Sequence, residues 1–128
     1  MNLRSPLAQA LGFGAAKEGV SHWWLQRLTA VALVPLALWF IWSLIAAESL
    51  SFATVHAWLA EPAHALGMIL LSSVLALHSQ LGVQVVIEDY VHGHALKVLA
   101  LVASSFVHVL IGTAGILSVL LVACGGTP

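Results

Sequence analysis

Three apolar runs, at residues 22–46, 61–91 and 96–124, dominate the chain. A helix needs roughly 20 apolar residues to cross the hydrocarbon layer of a bilayer, and each run is at least that long. Inside that layer every backbone amide and carbonyl must find a partner within protein, so such runs cross as helices. The expected fold is an all-α membrane protein: a single membrane-anchor domain over residues 1–128, with an N-terminal segment at 1–21 followed by three transmembrane helices. Ser21 stands where it can cap the first helix. Pro35 lies inside that helix and predicts a kink, tolerable where neighbouring helices satisfy the freed carbonyl. Pro62 suits the first turn of the second helix, and "HGHA" at 92–95 makes a tight connection to the third.

Composition narrows the class further. Of 128 residues 61% are apolar and 7% charged, and the mean hydropathy is +1.04. So few charges cannot keep a domain of this size in solution. Four Lys or Arg against five Asp or Glu leave a net charge of -1, which argues against a nucleic-acid partner. The single Cys124 has no internal disulfide partner and sits in an apolar run, as a packing residue does. The first apolar run starts too late and runs too long for a secretory signal, so it is retained as a span. The residues before it lack the Arg- and Ser-rich, acid-free composition of an organelle transit peptide, which favours a bacterial inner-membrane (cytoplasmic-membrane) protein that crosses several times.

Orientation follows from the basic residues. Arg4, Lys17 and Arg27 lie at or before the start of the first span and Lys97 follows the second, while the loop at 47–61 has none. The positive-inside rule then puts the N-terminus in the cytoplasm and the C-terminus in the periplasm. Trp23 and Trp24 fit a cytoplasmic interfacial belt and Trp42 and Trp58 the opposite one, whereas Trp39 is too deep for either. The small and hydroxyl residues Ser72, Ser73, Ser104, Ser105, Gly112, Thr113 and Gly115 read as helix contact faces, within the chain or against partner subunits.

Seven histidines are the compositional oddity, and one stretch gathers polar groups where a span ends: "ALHSQLGVQVVIEDYVHGH", residues 76–94. Asp89 follows His78 by eleven residues, and eleven steps of 100° come within about 20° of three full turns. The two side chains therefore share a stripe about 16 Å long, with His78 near mid-membrane and Asp89 near the cytoplasmic edge. A mid-membrane histidine has two readings: a neutral imidazole bonded to a neighbouring helix, or an axial ligand of haem iron with Gly82 leaving room for a flat macrocycle. Such an iron needs a second ligand, from His108 or from another subunit. Asp89 and Tyr90 read as interfacial cap and belt residues or as a site where a phenol bonds a carbonyl and a carboxylate relays protons. Arg27, at similar depth, reads as a snorkelling anchor or as a clamp for a carboxylate such as a haem propionate.

Taken together, "GVSHWWLQRLTAVALVPL" at 19–36 and "LHSQLGVQVVIEDYV" at 77–91 resemble the hydrophobic membrane anchor subunit of succinate dehydrogenase, the smaller anchor of complex II, in its alphaproteobacterial form. The resemblance implies that His78 is an axial ligand of haem b shared with a cytochrome b anchor subunit, and that Arg27 lies near a haem propionate. It implies that Tyr90, and Asp89 beside it, border a ubiquinone site. FAD and iron-sulfur clusters are expected only in partner flavoprotein and iron-sulfur subunits, since this chain has neither the cysteines nor the nucleotide fold to hold them. Membrane lipid, ubiquinone and those three subunits are the implied partners, and no independent catalysis is expected.

The resemblance leaves His22 mostly to background, His92 and His94 to the connecting turn, His56 and His64 to the far side, and His108 to packing. Gln80, Gln84 and Glu88 have no assigned role. Three alternatives stand beside the main reading: an anchor of a quinol:fumarate reductase, a non-catalytic structural membrane subunit, and a self-contained cytochrome with His78 and His108 as its two ligands.

Overall fold

A computed structural model describes residues 16–125, with side chains from Val20 onward; the expectations for Arg4 and the Lys17 side chain lie outside the described residues. Four helices follow in order: α1 (Ala16–Ala46), α2 (Phe52–Ala60), α3 (Pro62–Tyr90) and α4 (His94–Cys124). Three of them are long and apolar enough to cross a membrane, over Val20–Ala46, Pro62–Tyr90 and His94–Cys124. The described residues are thus all-helical in fold, with three membrane-competent helices and a short fourth in the first loop.

The helix ends follow local chemistry more than hydropathy. α1 is already helical at Ala16, ahead of the apolar run, where alanine, lysine and glutamate propagate a helix well. Ser21 consequently lies inside α1 and does not cap it. The helix continues through Pro35. α2 is capped by Ser51, whose hydroxyl accepts from the Thr54 amide at 3.3 Å. Pro62 opens α3 behind the cap residue Glu61, a place that needs no amide proton. At the other end of α3 Lys97 Nζ donates to the Glu88 carbonyl at 2.7 Å, satisfying one of the acceptors that a helix terminus leaves open.

α3 is the central helix. α1 packs along one side of it and α4 along the other, α1 and α4 do not meet, and α2 lies against α3 and α4. Two sets of small residues make the close approaches. Gly112 of α4 faces Ala76, where an added Cβ would stand 3.1 Å from the Ala76 Cβ, and Gly115 faces Ser72 at 3.5 Å. Gly67 of α3 lies under the Trp39 indole of α1: a Cβ there would sit 2.8 and 2.9 Å from Trp39 Cζ3 and Cζ2. Trp39 in turn stacks with Trp58 of α2, centroids 5.7 Å apart, and Trp58 with His64, 4.4 Å apart. Trp39 is therefore the knot between α1, α2 and the start of α3.

The contact-face reading of the small residues holds for Ser72, Ser105, Gly112 and Gly115. Ser73 and Thr113 behave differently, each donating to a carbonyl four residues back in its own helix, Ile69 at 2.7 Å and Val109 at 2.7 Å. Only Thr29, Ala65, Gly112 and Val119 are buried among the described residues. The chain has little core of its own, as suits helices whose other faces meet lipid or partner subunits.

Candidate functional site

The α1/α3 contact carries a polar stripe deep in the spans. Thr29 is 7% exposed, and its hydroxyl donates to the Leu25 carbonyl at 2.8 Å, with the Gln26 carbonyl at 3.1 Å. The same oxygen lies 3.0 Å from Nδ1 of His78 across the helix pair. One turn along, the Gln26 amide stands opposite Gly82, 3.7 Å from where a Cβ would be. This antiparallel register carries His22, one further turn toward the N-terminus, to the Asp89 end of α3. Within this stripe two buried side-chain atoms have no hydrogen-bonding partner, His22 Nε2 and Gln26 Oε1. Buried orphans of this kind call for a partner beyond the described residues.

The opposite face of α3 treats its histidine differently. His108 of α4 has Nδ1 2.7 Å from the Ser104 carbonyl, an acceptor only, so Nδ1 carries the proton. Its Nε2 then accepts from the Ser79 hydroxyl at 3.1 Å. Both nitrogens are committed to joining helices. His78 and Ser79 are chain neighbours, yet one addresses α1 and the other α4, because successive helical residues point about 100° apart. The structure does not bring His78 and His108 together, which counts against a self-contained two-histidine cytochrome.

The remaining candidates lie apart. Arg27 is exposed, its guanidinium 5.4 Å from the Trp23 ring centroid, and Trp23 meets Trp24 edge-on at 5.0 Å. Asp89 and Tyr90 end α3 exposed, Tyr90 at 78%, and meet no hydrogen-bonding partner among the described residues. They are not gathered into one pocket with His78 but lie about 16 Å further along the same helix. Among the described residues no three His, Cys, Asp or Glu side chains come together as a metal site.

Two residues without a role in the sequence reading gain one. Gln80 Nε2 donates to Ser105 Oγ at 3.3 Å, joining α3 to α4, and Gln84 Nε2 donates to Glu88 Oε1 at 2.8 Å. With Ser104 and Phe106 they border an open groove of about 380 Å³. A second hollow, about 470 Å³ and mostly apolar, lies at the other end between α1, α2 and α3, bordered by Phe40, Trp42, Leu50, Trp58 and His64. There His64 Nδ1 lies 3.0 Å from the Trp58 carbonyl and 2.9 Å from Glu61 Oε2. Thr29 and Gln26 are the site residues that sequence reasoning missed.

Comparison with known proteins adds a family to this geometry. The profile of the succinate dehydrogenase/fumarate reductase transmembrane subunits matches residues 1–121. The chain is 32% identical over 119 residues to the succinate dehydrogenase hydrophobic membrane anchor subunit of Rickettsia bellii (strain RML369-C), covering 92% of this chain and 94% of that one. It is 33% identical over 94 residues to the succinate dehydrogenase membrane anchor subunit of Reclinomonas americana, 71% and 78% of the two chains. It is also 33% identical over 97 residues to the succinate dehydrogenase hydrophobic membrane anchor subunit of Paracoccus denitrificans, 76% and 75% of the two.

Proposed function

Because the chain belongs to the succinate dehydrogenase/fumarate reductase transmembrane-subunit family, as a membrane anchor subunit of succinate dehydrogenase, we propose that it supplies one axial ligand to a shared haem b and one edge of a ubiquinone site. The observation that carries the haem reading is His78. It stands mid-span, its Nδ1 is engaged by Thr29 at 3.0 Å, and none of the hydrogen bonds among the described residues takes up its Nε2. A lone imidazole nitrogen suits an iron already held by a porphyrin, with the second axial ligand coming from the cytochrome b anchor subunit. The fit extends to the buried, unpartnered Gln26 Oε1 and His22 Nε2 on the same stripe, which await polar groups from a cofactor or a partner subunit. Arg27 is free to turn from Trp23 toward a propionate carboxylate. Bound there, the haem would supply a one-electron redox centre.

Tyr90 and Asp89 form the chain's contribution to quinone reduction. The Tyr90 phenol donates a hydrogen bond to a quinone carbonyl, drawing electron density toward that oxygen. The Asp89 carboxylate, at the aqueous end of α3, passes protons toward it. Reduction to the quinol takes two electrons and two protons; the electrons come from succinate oxidised at the flavoprotein subunit and passed on by the iron-sulfur subunit. The N-terminus lies in the cytoplasm and the C-terminus in the periplasm of a bacterial inner membrane, so protons are taken up on the cytoplasmic face and no charge need cross the bilayer.

The test is purification of the native complex through this chain, followed by a reduced-minus-oxidised spectrum and an assay of succinate-dependent quinone reduction. Flavin and iron-sulfur subunits, a b-type spectrum and quinone reduction are expected to co-purify. A preparation with those subunits but no b-type haem would refute the ligand reading, and one without quinone reduction would refute the site at Tyr90.

A further inference from the structure

We infer that Thr29 is a positioning residue for His78, fixing which imidazole nitrogen carries the proton and leaving Nε2 bare for iron. The inference rests on the proposed role of His78 as an axial ligand. It begins from the number of protons available. A threonine hydroxyl has one, and the structure gives its oxygen three neighbours: the Leu25 carbonyl at 2.8 Å, the Gln26 carbonyl at 3.1 Å and His78 Nδ1 at 3.0 Å. The two carbonyl oxygens can only accept. Were the hydroxyl proton given to Nδ1, lone pairs on Thr29 would face two carbonyl oxygens at contact distance. Donation to Leu25 removes that repulsion, so His78 Nδ1–H is the donor to Thr29 and Nε2 keeps its lone pair.

Burial makes this choice durable. Thr29 is 7% exposed, so no abundant water competes for Nδ1, and the donor would lose its partner outright if the proton moved to Nε2. The bond also fixes the ring plane, since Thr29 is held by its own helix and His78 by α3. His108 provides the internal contrast. Its Nδ1 proton goes to a carbonyl in the same way, but Ser79 occupies its Nε2 at 3.1 Å. Of these two mid-span histidines only His78 has its distal nitrogen free. An acceptor behind a ligating imidazole also raises its basicity, which favours the oxidised metal.

Thr29→Val and Thr29→Ser, made in the assembled complex, test this, with His78→Leu alongside. The readouts are the haem midpoint potential and the low-spin electron paramagnetic resonance signal, which report the basicity and orientation of a ligating imidazole, and the serine variant separates the hydroxyl from mere packing. Thr29→Val is expected to raise the potential and to split or broaden the low-spin signal, while Thr29→Ser keeps both as in the parent. If the valine variant does not assemble, Thr29→Ala carries the same test without added bulk at the contact. Parent-like potential and signal in Thr29→Val or Thr29→Ala, alongside an altered signal in His78→Leu, would overturn the role of Thr29 and leave the ligand standing. A serine variant as disturbed as the valine one would overturn it too, since the methyl group and not the hydroxyl would be what matters. An unaltered signal in His78→Leu would instead sink the ligand reading on which the inference rests.

Discussion

Gly67→Ala measures how tightly α1 is seated on α3. The new Cβ would lie 2.8 and 2.9 Å from two atoms of the outer Trp39 ring and nearer still to Cη2, all inside van der Waals contact. The indole cannot simply swing away, because Trp58 stacks on it at 5.7 Å and His64 lies at 6.3 Å. Overpacking of this kind costs about 1–3 kcal/mol. Alanine also gains up to about 1 kcal/mol over glycine inside a helix, which blurs the single measurement. Gly115→Ala removes that ambiguity: it has the same propensity gain, but its Cβ would meet Ser72 at an ordinary 3.5 Å. The difference between the two variants is then the overpacking alone, about 1–3 kcal/mol against Gly67→Ala. SDS titration of the purified complex in mixed micelles, following release of this chain, reads that difference. Trp39→Phe in the Gly67→Ala background is expected to restore most of it, since a phenyl ring stops short of the contested space. Equal stability of the two alanine variants, or no recovery with phenylalanine, would refute the packing argument.

Other expectations follow from single contacts. Tyr90→Phe should lower succinate-dependent quinone reduction by roughly 3- to 10-fold, the worth of one neutral hydrogen bond, with haem content and assembly unchanged; parent-like rates would remove the phenol from the site. His108→Leu should leave the low-spin haem signal intact while weakening the α3/α4 contact by about 1 kcal/mol through loss of the Ser79 bond, readable in the same SDS titration. Loss of the haem signal there would revive the two-histidine arrangement. Lys97→Met removes the donor to the Glu88 carbonyl and should speed hydrogen exchange in the last turn of α3, by about 5-fold for a bond near 1 kcal/mol.

The spans could be read from the sequence because a bilayer filters for them: length and hydropathy alone select Val20–Ala46, Pro62–Tyr90 and His94–Cys124. Where the helices begin and end was less legible. Ala16–Ser21 is helical through propensity, not hydropathy, and α2 is a nine-residue helix too short to announce itself by period. Trp39 lies too deep for the interfacial belt; its reason for being there is Gly67, some thirty residues away, and no local pattern links the two. Thr29 was invisible for a similar reason. Thr113 makes the same bond back to its own helix, at 2.7 Å, yet stays exposed, so a threonine within a span does not by itself tell which hydroxyl will have a histidine across from it.

The position of α3 explains why the chemistry concentrates on it. Flanked by α1 and α4, which do not touch each other, it is the one span among the described residues that packs against both of the others. Along its α4 side the polar residues close on each other: Ser79 on His108, Gln80 on Ser105. Along its α1 side they do not close. Thr29 satisfies one nitrogen of His78, while His22 Nε2 and Gln26 Oε1 are buried without partners. Unsatisfied polar atoms are costly in a low-dielectric setting, where water cannot reach them. A chain that spends so few polar residues and leaves these open is complete only when another component closes that face. The α1/α3 side is therefore the face to which the proposed haem and partner helices are assigned, and the α3/α4 side, where Ser79 meets His108 and Gln80 meets Ser105, is where the subunit holds itself together.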